Sequence, residues 1–115
     1  SEIAEQAAQG LLCKIVDIDY LVSSWCDGED SLVAYAALLA ASRSGNVGMQ
    51  SAQDAVVKAV ARHADNHLVA HGAIALLCAM ISKDRASVER TLASLPQNRS
   101  AELVIEELKW RLEFS

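Results

Sequence analysis

Three short apolar triplets constrain this chain most: Leu32-Val33-Ala34, Leu68-Val69-Ala70 and Leu103-Val104-Ile105 recur at separations of 36 and 35 residues. Regular spacing of this size marks a chain assembled from repeated supersecondary units, each too small to bury its apolar face alone. A fourth copy lies upstream. Residues 3–13 align without a gap on residues 68–78, which brings small residues and the Leu11-Leu12-Cys13 and Leu76-Leu77-Cys78 triplets into register.

The period within each unit is helical. Apolar positions recur at three- and four-residue intervals almost throughout, with no sustained two-residue alternation, and predict helices at 2–15, 18–26, 29–43, 50–63, 66–82, 84–94 and 99–113. The 52% apolar content is mostly Ala, Leu, Val and Ile, with 4% aromatics and one proline, which suits closely packed helices. Asp27-Gly28, the loop from Ser44 to Gly48 and Pro96-Gln97-Asn98 separate predicted helices. Glu29 and Asp30 are expected in the first turn of helix 29–43, and Asp65 or Asn66 is expected to cap helix 66–82.

At about 100° per residue, Leu68, Val69, Gly72, Ala73, Leu76 and Met80 form one stripe on helix 66–82. Gly72 and Ala73 let a neighbouring helix approach closely, and the second half of this helix is apolar nearly all round, so it is expected to be sandwiched between neighbours. The expected fold is all-α. About three stacked helix pairs plus an N-terminal helix form one domain over 1–115, with units at 2–15 (partial), 17–43, 50–82 and 84–113. Helix 2–15 carries Ile3, Ala7, Leu11 and Ile15 on one stripe without a preceding partner, which makes it a candidate surface for homo-oligomerisation.

Residues 55–66, followed by residues 67–77, resemble the second and third helices of an armadillo repeat: a helix ends in a polar turn, and the next opens on an apolar pair and runs through small residues to an Ala-Leu step. The first short helix of such a repeat has no counterpart, so the pairs are also HEAT-like. The resemblance implies an α-solenoid that holds protein partners. Cys78 and Cys13 stand where nuclear-import and catenin-type arrays carry a peptide-gripping Asn, and Ile74 and Gln9 stand at the Trp-like position, so recognition of nuclear-localisation signals does not carry over.

Composition and spacing also exclude several chemistries. A net charge of −5 with scattered basic residues provides no footprint for nucleic acid or an anionic membrane. The longest apolar stretch, residues 68–81, is 14 residues and contains His71, too short to span a bilayer. Cys13, Cys26 and Cys78 lack metal-type pairing and point to a reducing, cytoplasmic setting. The N-terminus lacks an initiator Met and a basic signal region, and is expected to be the cut end of a larger protein. His67 and His71 stand one turn apart, which suggests a metal-binding regulator or enzyme as an alternative, but two imidazoles leave a zinc site short of ligands. His71 and Cys78 lie about 10 Å apart along one helix, too far for a catalytic dyad. With no phosphate loop either, the chain is expected to be non-catalytic and to use no cofactor.

The remaining candidate is a partner-binding face opposite the core stripe. His67, His71 and Ile74 point that way on helix 66–82. The repeat offset adds Tyr35 and Leu38 on one side, and Glu102, Glu106 and Lys109 on the other, with Gln6, Tyr35, His71 and Glu106 as successive rungs. Such a face suits a protein or peptide with apolar and basic side chains. Trp25 is expected to pack in the core. Trp110 lies on the most charged helix, which resembles the polar cap of an array; a terminal capping or dimerisation segment is therefore a further alternative.

Overall fold

The computed structural model describes Val22 and residues 24–44 and 47–114, and every regular element among them is helical. Residues 24–26 are helical, followed by α1 (Ser31–Ser44), α2 (Met49–Arg62), α3 (His67–Ile81), α4 (Arg85–Ser94) and α5 (Arg99–Phe114). These boundaries match the sequence-based ones within two residues. Helix 2–15, with its proposed oligomerisation stripe and Gln6, lies outside the described residues, as does most of helix 18–26. No helix among the described residues is long and apolar enough to cross a membrane.

Short Asx side chains start four of the five helices. Asp30 Oδ1 accepts from the Leu32 and Val33 amides at 2.9 and 3.3 Å, so Asp30 caps α1 from outside instead of lying in its first turn. Asn66 caps α3 by accepting from Val69 N at 3.0 Å, and Asn98 caps α5 by accepting from Ala101 N at 2.8 Å. Asp84 caps α4, accepting from both Ser87 N at 3.2 Å and Ser87 Oγ at 2.5 Å. Each bond from a backbone amide satisfies a first-turn N–H that has no partner within the helix. Gly48 precedes α2 in an extended conformation with no side-chain cap.

Long-range hydrogen bonds set how the helices lie. Ahead of α1 and α3, His63 Nε2 stands 3.1 Å from Gly28 O, and Arg62 Nε donates to Asp27 O at 3.2 Å. Ahead of α3 and α5, Asn66 N donates to Ser100 Oγ at 2.9 Å, and Ser100 Oγ donates to His63 O at 2.6 Å. The starts of α1, α3 and α5 therefore lie at one end. Further along, Tyr35 meets His71, while Cys78, Ile81, Trp110 and Phe114 line a common hollow, so the three helices run side by side in the same direction. Residues paired by these bonds are 34 to 37 apart in sequence.

The other two helices form a second layer. α2 returns into α3 and α4 into α5 through short turns, and Gln53 Nε2 of α2 donates to Ser87 O of α4 at 3.4 Å. Between the layers lie Val56, Val60, Val69, Leu77, Val88, Val104 and Leu108, all with 0% exposure. α3 touches each of the other four helices, which suits its apolar surface on nearly every side.

Two expectations need correction. Leu38 belongs to the core, with 0% exposure, and does not face a partner. The cause is the close approach of α1 to α3 at Gly72: a Cβ built there would stand 3.1 Å from Leu38 Cβ and 3.3 Å from Tyr35 Cδ1. Leu38 closes the space that the missing side chain leaves. Leu68 is 44% exposed and lies outside the core stripe, in the first turn of α3. Val69 and Ala70 take the buried positions there. Trp25 is partly buried against the core, as its sequence position suggested.

Candidate partner-binding face

Among the described residues the large exposed hydrophobic side chains are Leu32, Leu68, Trp110 and Phe114. All four lie on α1, α3 and α5, and none lies on the second layer. α2 and α4 instead turn Gln50, Asp54, Lys58, Arg62, Arg85, Glu89, Arg90 and Ser94 to water. Scattered apolar exposure is ordinary in proteins, whereas among the described residues these large side chains are confined to the helices of one layer.

The central part of this face is an open trough of about 940 Å³ between α3 and α5. Its α3 wall holds His67, Ala70, His71 and Ile74; its α5 wall holds Leu103, Glu106, Glu107, Trp110 and Arg111. The α5 residues follow from helical spacing, since Leu103, Glu107, Trp110 and Phe114 are four, three and four apart and share one side. Trp110 is 60% exposed and Phe114 68%, and their rings meet at 5.2 Å between centroids. Tyr35 extends the face toward α1, its ring 6.3 Å from that of His71.

The trough therefore brings together His67, His71, Ile74 and Glu106 from the predicted set, with Tyr35 at its margin. Glu102 and Lys109 are exposed on α5 but do not line it, and Glu102 is occupied by Arg99 at 3.3 Å. Leu103, Glu107, Trp110 and Arg111 join the site without having been selected from the sequence. The cause is geometric: α3 and α5 turn opposing sides to the trough between them, whereas a fixed repeat offset selects the same side of both helices. The exposed aromatic pair on α5 also departs from the polar surface expected of a capping helix. Trp110 lines the trough, whereas Glu102, Lys109 and Glu113 point to water.

The electrostatics are modest. Arg111 Nε bonds Glu107 Oε1 at 3.2 Å, so these two charges largely offset one another. Among the described residues no ion pair engages Glu106. Burial pushes the Cys26 thiol up to about 12, with Lys58 opposing the shift. Burial also raises the Cys78 thiol, Arg111 opposing and Glu107 reinforcing. Neither is held as an activated thiolate, which would need the opposite shift. Among the described residues no three His, Cys, Asp or Glu side chains gather closely enough to hold a metal ion. His63 instead approaches the Gly28 carbonyl, and His71 lies against Tyr35.

No protein-family model matches the chain, and no curated protein or solved structure is significantly similar to it.

Proposed function

We propose that the chain is a non-catalytic scaffold segment of an armadillo- or HEAT-like α-solenoid, and that it holds a protein partner on the face formed by α1, α3 and α5. The observation that carries this reading is the confinement of exposed Leu32, Leu68, Trp110 and Phe114 to the α1, α3 and α5 layer, against a second layer that exposes only small or polar side chains among its fully exposed positions. Trp is enriched at the energetic centres of protein interfaces, where a large rigid side chain loses little conformational freedom on binding. The solenoid part draws support from the hydrogen bonds between residues 34 to 37 apart, which join the start of each row helix to the next. Stacked units of that length leave a row of like helices on one side, the arrangement such proteins use for binding.

A second reading, the end of a longer array, is favoured by Glu102, Glu106, Lys109 and Glu113, which give α5 a charged outer edge. The two readings are compatible, because a terminal unit contributes to the same face. The test is affinity capture from the native cell with wild-type protein, a Leu68→Asp/Trp110→Asp variant and an Ala86→Asp variant. The expected result is a component retained by wild type and Ala86→Asp and lost with the double variant, at unchanged melting temperatures. Equal retention by all three would overturn the assignment of the face.

A further inference from the structure

Resting on that reading, we infer that the trough between α3 and α5 takes an amphipathic α-helix of a partner protein, with an apolar anchor against Trp110, Ile74 and Leu103 and a Lys or Arg one turn away against Glu106. Three observations lead there. First, the trough is open along its length, so it would leave much of a small molecule in water, whereas small-ligand pockets enclose most of their occupant. Second, its walls are helix surfaces whose backbone groups are bonded internally, and no strand among the described residues offers an edge. An extended peptide laid there would find few partners for its own N–H and C=O groups, while a helix satisfies them internally and presents side chains alone.

Third, charge selects the flanking residue. Glu107 is already bonded to Arg111, whereas Glu106 is exposed, lines the trough and has no ion-pair partner among the described residues. A cation beside an apolar anchor gains from both Glu106 and the face of the Trp110 ring, which attracts positive charge. Leu103 and Trp110, the two apolar residues of the α5 wall, are seven residues apart, about 10 Å or two turns, which matches anchors spaced i and i+7 on an occupant helix.

The experiment is a titration of the isotopically labelled full chain with a synthetic Leu/Lys amphipathic peptide of about five helical turns. A second peptide carries Glu in place of every Lys. The expected result is that the Lys peptide shifts the resonances of His67, Ile74, Glu106 and the Trp110 indole, and binds at least ~ten-fold more weakly to Trp110→Ala. Binding to Glu106→Gln is expected to fall about three- to five-fold and to lose part of its salt dependence. Binding of the Glu peptide at equal strength in the trough would overturn the basic-helix inference while leaving the protein-binding face intact. Failure of both peptides to bind, or Lys-peptide binding indifferent to Trp110→Ala, would also overturn the inference. Shifts confined to α2 and α4 would overturn both proposals.

Discussion

The two layers draw on similar residues but treat their outer surfaces differently. α2 buries Ala52, Ala55, Val56, Ala59 and Val60, and α4 buries Ser87, Val88 and Thr91, each keeping its polar side in water. The row of α1, α3 and α5 buries a comparable stripe and then exposes Leu32, Leu68, Trp110 and Phe114 as well. The difference teaches that apolar exposure here follows position and is not a shortage of polar residues. α5 has seven charged residues, yet its two aromatic side chains stand together and exposed.

The sharpest way to break this comparison is to remove side chains from above and below the same face. Leu38→Ala, at a fully buried position beneath it, should lower stability by roughly 2–5 kcal/mol, whereas Trp110→Ala, on its surface, should stay within about 0.5 kcal/mol of wild type. Urea titration of both variants measures this, and similar losses would mean that Trp110 is structural. Next in size is Ser100→Ala. Its buried hydroxyl accepts from Asn66 N and donates to His63 O, so its removal leaves both without that partner and should cost about 1–3 kcal/mol. Ser94→Ala, on the exposed side of α4, should leave the urea midpoint nearly unchanged.

A further small effect concerns acid. Hydrogen bonds from the Ser87 side chain and amide hold the Asp84 carboxyl below its ordinary value of 3.8, with a smaller contribution from Arg90. A folded-state value below the unfolded one means that the carboxylate contributes stability fully above about pH 4, and loses it as pH falls through the lowered folded value. Asp84→Asn should therefore flatten the acid limb of a melting-temperature profile and leave its slope above neutrality unchanged. An identical acid limb in both proteins would remove Asp84 as a contributor.

Much of the fold was legible in the sequence because its signals are local. Helical spacing and the Asx residues 30, 66, 84 and 98 mark where helices begin, and a cap acts within three residues of itself. The face was legible only in part. His67, His71 and Ile74 follow from direction along a single helix and Glu106 from the repeat offset, but Leu38 and Trp110 depend on how deeply two helices approach and on which side each turns to the other. Leu38 was misplaced because the gap at Gly72 is a property of the pair α1 and α3, not of either alone. Trp110 was assigned to a capping surface because charge density along α5 outweighed the side on which its aromatics fall.

Site-directed photocrosslinking tests the central claim most directly. A benzophenone amino acid placed singly at positions 68 and 110 on the row, and at positions 58 and 90 on the second layer, reports what touches each surface in the native cell. The account predicts a discrete protein adduct from 68 and 110, with none from 58 and 90. Adducts from 58 and 90 with silence at 68 and 110 would contradict it.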